Sequence, residues 1–299
     1  MNAMATMKCQ RFLLLVLVLF APRAVIADVA ALVRKAEEAT DPHTKLGYLN
    51  QALREDDSHW AVWALRADAH RMLEQYDKAE SDATEAIGRG RGEKDAWRVR
   101  ALVRLVNNDS DGAIRDAGEA LRLGDKTVMV HVIRGEAYLS KGDLQAAVRD
   151  ADSAIAIDER ASSAYRLRAL AYERLGNESG ALVDLNKAVR VDNQNVDTLI
   201  QRIAFHIRTK RFKYALSDCE YGEQIAPGSE AVKSLRIEAL RKSGQVDEAV
   251  RVARAETTSQ PRSSLLLHQL ALACYDAKTW QDVIEAANDL VAIVPDHLG

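Results

Sequence analysis

The residues of this chain that could do chemistry stand in columns rather than clusters. Arg66, Arg100, Arg134, Arg168, Arg202 and Arg236 recur every 34 residues, and Asp82, Asp116, Asp150, Asp184 and Asp218 keep the same interval. A ladder of guanidinium groups would suit an anionic ligand. Matched periodicity of both signs points instead to pairing, each Arg forking onto one Asp across a helix–helix contact and locking its geometry. Such pairs stabilise appreciably only when well oriented and buried. The histidines, His43, His59, His70, His131, His206, His268 and His297, place no two at metal-ligand spacing on one helix. His131 falls in one repeating column and His70 and His206 in another, which reads as packing. No GxSxG, P-loop or HExxH occurs, and no Ser or Cys has a local base partner. The reading is a non-enzyme with no catalytic residue, metal or cofactor.

The elements that carry these columns follow from the same period. Ala79, Ala113, Ala147, Ala181, Ala215 and Ala249 are 34 apart, with Val283 continuing the series. Ala52, Ala86, Ala120, Ala154 and Ala188 form a second column that relaxes to Gly222. Ala67, Ala101, Gly135 and Ala169, then Ile203, Ile237 and Ala271, form a third, and Pro227, Pro261 and Pro295 a fourth. A fixed period with no insertion is the mark of a repeat array. Each period reads as two amphipathic helices, exemplified by Trp63 to Leu73 and Asp77 to Ile87, with a turn at Glu74-Gln75-Tyr76. Gly142, Gly176 and Gly244 occupy that turn elsewhere, where a left-handed residue ends a helix. Asp158, Asp192 and the spaced prolines close the second helix. Small residues are needed where paired helices cross closely.

These columns resemble the tetratricopeptide-repeat (TPR) family. Tyr165, Ala169, Tyr172, Gly176, Ala181 and Ala188 supply most of its pattern in one repeat; His131, Gly135, Tyr138, Gly142, Ala147 and Ala154 do so in another, and Trp63, Ala67, His70, Ala79 and Ala86 in a third. The resemblance implies an all-α fold, a right-handed superhelical solenoid of antiparallel helix pairs. Eight repeats are expected at 26–59, 60–93, 94–127, 128–161, 162–195, 196–229, 230–263 and 264–297. The first is degenerate, with Lys45 in place of the second-helix alanine and Pro42 in the turn.

The family lines its concave surface with first-helix residues. In this register the resemblance implies a groove of Arg98, Leu102, Leu105, Val132, Glu136, Leu139, Arg166, Leu170, Glu173, Ile200 and Ile207. Its aliphatic content would suit an amphipathic helix or an extended apolar peptide. The alternative is that a tight superhelix buries these side chains against one another. The Lys/Asn clamp by which some members grip a chaperone's C-terminal carboxylate is missing. Its places carry Ala64, Asp68, Val99, Met129 and Ile133. At the far end, Ile284 and Val291 would ordinarily meet a following helix, so homo-oligomerisation through this edge is a second expectation.

Composition narrows the setting. Charges of both signs are interspersed, 41 basic against 44 acidic, and no basic stripe with interleaved aromatics stands out, so no nucleic-acid partner is expected. Lys8 and Arg11 precede the nine-residue apolar run Phe12–Phe20, and Val25-Ile26-Ala27 offers small residues for cleavage. Residues 1–27 therefore read as a signal peptide and 28–299 as the repeat array. The run is short of the ~20 residues of a membrane span, so no stable insertion is expected after cleavage. Residue 28 onward carries 38 basic and 44 acidic residues, a net of −6. No cysteine follows the run as in a lipoprotein, and Cys219 and Cys274 fall two repeats apart, out of disulfide reach. The sequons at Asn108 and Asn177 both lie in turns, where a glycan is tolerable.

The sequence thus reads as an exported scaffold or adaptor that holds a protein or peptide segment in its groove. The compartment is the periplasm or the exterior, with the endoplasmic-reticulum lumen as the eukaryotic alternative. Two other readings are kept: an end-to-end self-assembling part of a secretion or envelope apparatus, and a co-chaperone-like holder of unfolded clients. The last lacks a His-Pro-Asp motif and a retention tetrapeptide.

Overall fold

The computed structural model describes residues 23–90 and 94–293, with side chains from residue 28 onward. The apolar run of the expected signal peptide lies outside the described residues. Among the described residues there are sixteen helices and no strand, and no helix is long and apolar enough to cross a membrane. The chain divides into two compact units, residues 1–159 and 160–299.

The first unit contains α1 (Arg23–Glu38), α2 (Pro42–Glu55), α3 (Trp60–Met72), α4 (Tyr76–Arg89), α5 (Lys94–Val106), α6 (Ser110–Arg122), α7 (Val128–Lys141) and α8 (Leu144–Ile157). The second contains α9 (Ser162–Arg174), α10 (Glu178–Val191), α11 (Val196–Arg208), α12 (Phe212–Ile225), α13 (Glu230–Lys242), α14 (Val246–Ser259), α15 (Ser264–Asp276) and α16 (Trp280–Ile293). In both units each odd helix packs on the even helix that follows. First helices of successive repeats also touch, α3 with α5 and α5 with α7 in one unit, α11 with α13 and α13 with α15 in the other.

Small side chains explain the close crossings. Ala79, Ala113, Ala147, Ala181, Ala215 and Ala249 are fully buried, as are Ala86, Ala120, Ala154 and Ala188. At Gly222 the fit is tighter still, since an added Cβ would stand 3.0 Å from Val232 Cγ1 and 3.3 Å from Leu199 Cδ2. Turns are held by local polar contacts. Asp109, Asp143 and Asn177 each accept a hydrogen bond from the backbone N–H three residues on, capping α6, α8 and α10. Gly142, Gly176 and Gly244 take φ near +80° there, as expected of residues that end a helix.

Two local expectations need correction. Pro42 does not sit in the turn; it opens α2 behind the cap Asp41, whose carboxylate accepts from Thr44 N at 2.8 Å. A proline at the first helical position sacrifices no hydrogen bond, because that N–H has no partner inside the helix. Tyr76 likewise begins α4 instead of lying in the turn before it. At the N-terminus, α1 runs through Ala27, and Val29 is fully buried.

Candidate partner-binding surface

The Arg and Asp columns meet in the seam between paired helices. Nε of Arg66, Arg100, Arg134, Arg168 and Arg202 donates to Oδ2 of Asp82, Asp116, Asp150, Asp184 and Asp218 at 2.7–2.8 Å. In each pair Nη2 donates to Oδ1 of the same carboxylate at 2.6–2.9 Å. The forks are bidentate and partly buried, a geometry in which an ion pair orders its surroundings. Arg66 and Arg202 extend the link to the preceding repeat, through Nη1 to Asn50 Oδ1 and Asn186 Oδ1. These arginines are closed on the protein itself and do not form an anion cradle.

The column lapses at Arg236. Sixteen residues on stands Val252, which is buried, and Arg236 turns to Glu223 at 3.0 Å. Elsewhere the seam gains members that periodicity alone did not reveal. Arg104 Nη1 donates to Asp116 Oδ2 at 2.9 Å while its Nε donates to Glu80. His131 Nδ1 lies 3.1 Å from Asp150 Oδ1, so this histidine supplements the fork beyond filling an aromatic place. Burial alone would raise the Asp150 carboxyl; the hydrogen bonds from Arg134 and His131 outweigh it and hold the group below the usual carboxylate range.

His70 contacts Gln75 Oε1 at 3.0 Å, and His206 is buried with its ring stacked on Tyr214, centroids 5.6 Å apart. Burial lowers the His206 pKa. Cys219 and Cys274 are buried free thiols, and burial pushes the Cys219 thiol up to about 12, which keeps it unreactive. Among the described residues no group of His, Cys, Asp and Glu is arranged to hold a metal.

The expected groove residues divide by burial. In the first unit Leu102 and Leu105 are half-buried and pack on the cluster of Ala101, Ala117, Val130 and Ile133, whereas Val132 and Leu139 are buried. Arg98 is partnered by Asp95 at 2.6 Å and by the buried carboxylate of Asp125. Asp125 also accepts from Thr127 N and Oγ1, a knot that ties the α6–α7 link to α5. Glu136 is half-buried. In the second unit Arg166, Leu170, Glu173 and Ile200 are half-buried and Ile207 is buried. Ile200 and Ile207 pack together in one cluster with Leu199 and Ile203. Where first helices touch, their inward side chains interdigitate, and part of the expected lining becomes core.

The apolar atoms left in solvent on the first helices belong to residues outside the expected lining. Met72 is 44% exposed, Val106 39% and Met129 54% in the first unit; Leu265 and Tyr275 are exposed in the second. Val106 is one turn beyond Leu102, and Met129 one turn before Val132, so each shares its helix face with a predicted residue. At the end of the second unit, Ile284 and Val291 are 54% and 47% exposed on α16 and lie along one helical face with exposed Trp280.

Stacked antiparallel helix pairs with a 34-residue period and a small-residue seam define a helix–turn–helix repeat solenoid. The sequence model for the tetratricopeptide repeat matches residues 66–127, 98–163 and 134–195, so this stretch carries tetratricopeptide repeats. Several solved structures share the fold. A tetratricopeptide repeat protein from Parabacteroides merdae superposes with a TM-score of 0.63 at 15% identity, covering 83% of this chain and 99% of that one. PilW, a type IV pilus biogenesis factor, gives 0.64 at 14% identity over 72% of this chain and 99% of its own. The Cut9–Hcn1 hetero-tetramer of the APC/C gives 0.63 at 14% identity; the match covers 90% of this chain and 54% of that protein. No curated protein matches the chain by sequence.

Proposed function

We propose that this chain is an exported scaffold or adaptor that holds an apolar segment of another protein against the faces of its first helices. The observation that carries the reading is the exposure of Met72, Val106 and Met129 beside half-buried Leu102 and Leu105 in the first unit. Exposed apolar side chains that adjoin one another on a helix face suit a partner's apolar face. The charges on the same first-unit helices are already matched: Arg71 with Asp68, and Arg98 with Asp95 and Asp125. An acidic ligand would have to displace those carboxylates, so a neutral apolar segment is the better fit. Holding unfolded clients would be the same surface used with little sequence preference. The Cut9–Hcn1 structure, a hetero-tetramer, supports partner binding as a use of this fold. Export rests on residues 1–27 alone.

The test is in-cell crosslinking and pull-down with the full chain, comparing wild type with Val106→Asp/Met129→Asp. Both sites are exposed, so helicity should be unchanged while partner recovery collapses. Undiminished recovery would contradict the reading. A second reading, self-association through α16, is favoured by the exposed Trp280, Ile284 and Val291. The counterparts of Ile284 in the two preceding repeats, Leu216 and Val250, are half-buried. Sedimentation of wild type against Ile284→Asp/Val291→Asp decides it, and a concentration-independent wild-type monomer sinks it.

A further inference from the structure

We propose that the turn joining α11 to α12 is a separate docking site for a short acidic segment of a partner protein. The run Arg208-Thr209-Lys210-Arg211-Phe212-Lys213-Tyr214 holds four cations and no carboxylate, in a chain whose net charge is −3. Arg208 is satisfied by Glu173. Lys210 and Lys213 are exposed, and among the described residues neither ammonium has an ion pair or hydrogen bond. Beside them Tyr214 is 63% exposed, with one face of its ring fixed against His206 and the rest in solvent. Two uncommitted cations next to a rigid aromatic surface suit a segment that alternates carboxylates with an apolar side chain.

This turn also breaks a local rule that its neighbours keep. The second helices α4, α6, α10, α14 and α16 carry an acidic residue in the first turn, and α2 and α8, which have none there, are capped by Asp41 and Asp143, as the positive end of the helix dipole favours. The first turn of α12 has none and carries Lys213 instead. Its cap is Arg211, which makes no side-chain capping bond, so the start of α12 lacks the anionic group found at the other second helices, a local conflict of the kind found at functional sites.

The flanking turns narrow the partner. Glu178 opens α10 on one side, and Asp247 and Glu248 open α14 on the other. A flat anionic membrane or a long polyanion lying along this edge would meet those carboxylates. Membrane recruitment by charge also takes a broader basic cluster than one turn supplies. A short peptide needs only the turn itself.

Fluorescence anisotropy of a labelled peptide, Glu-Glu-Leu-Glu-Asp, titrated with the full chain tests this. Wild type should bind it, bind the Gln/Asn version far less, and weaken as salt rises from about 50 to about 300 mM. Lys210→Gly/Lys213→Glu should lose about tenfold or more in affinity. Glycine accepts the φ of +58° at residue 210, and an acid favours the start of α12, so thermal melting should show the variant folded. Val106→Asp/Met129→Asp should bind this peptide normally, which separates the site from the first-helix face. Equal affinity for the folded lysine variant and wild type would overturn the proposal. So would binding of phosphatidylserine vesicles without binding of the peptide.

Discussion

In the seam of repeats two to six, five arginine side chains are 13–27% exposed and fork onto aspartates that are 2–14% exposed. On the first-helix face of the same repeats, Met72, Val106 and Met129 are 39–54% exposed. The usual placement is inverted: charge is drawn into the helix contact, and apolar atoms are left to solvent. A buried bidentate pair is costly to break and is closed to ligands, so the seam determines how helices cross and contributes no binding chemistry. An exposed methionine contributes little to the fold and much to an apolar contact. Repeat seven sharpens the contrast, because Val252 fills the aspartate's place with hydrocarbon and the helix pair still forms. The ion pair therefore specifies geometry where it occurs without being required for every pair.

Breaking the seam should have the largest effect. Asp116→Ala removes the carboxylate shared by Arg100 and Arg104 and should cost about 3–5 kcal/mol in denaturant unfolding. A loss near that of a surface pair would mean the forks are solvated in solution. Arg236→Ala, in the repeat without the fork, should cost no more than ~1 kcal/mol, since its pair with Glu223 is about 30% exposed on both sides. Equal costs at the two sites would erase the distinction between them. The smallest effect concerns pH. Burial lowers the pKa of His206 in the folded chain, so the unfolded chain, at an ordinary value of ~6.5, takes up the proton first. Its contribution is complete above that value and is lost as pH falls toward the lowered one. His206→Phe, which keeps a ring against Tyr214, should therefore show a flatter fall in stability between about pH 7 and 5. Parallel pH profiles for variant and wild type would refute the burial argument.

The seam was legible because both its columns share the 34-residue period, and matched periods of opposite sign have a geometric explanation. Arg104 and His131 were not legible as seam members, since neither belongs to a charged column and both join it by proximity. Val252 was legible as a gap in the aspartate column, but the turn of Arg236 toward Glu223 depends on side-chain reach. The groove was readable only by face. Helical spacing groups Val132, Leu139 and Ile207 with the expected lining, yet all three are buried in units where first helices of successive repeats touch. Met72, Val106 and Met129 are left as accessible apolar side chains. The basic turn at 208–214 is an exception to the reading of interspersed charge, and sequence alone does not tell that its two lysines lack partners while Arg208 has one.

If the proposed function holds, partners meet the first-helix face and not the second-helix side. Met129 on α7 and Ile157 on α8 belong to one repeat and are similarly exposed, 54% and 45%. A photo-crosslinking residue placed at each in turn, in the full chain expressed in cells, tests the claim directly. Crosslinks to a partner protein from position 129 and none from position 157 are predicted. Equal crosslinking from both positions, or crosslinking from 157 alone, would contradict it.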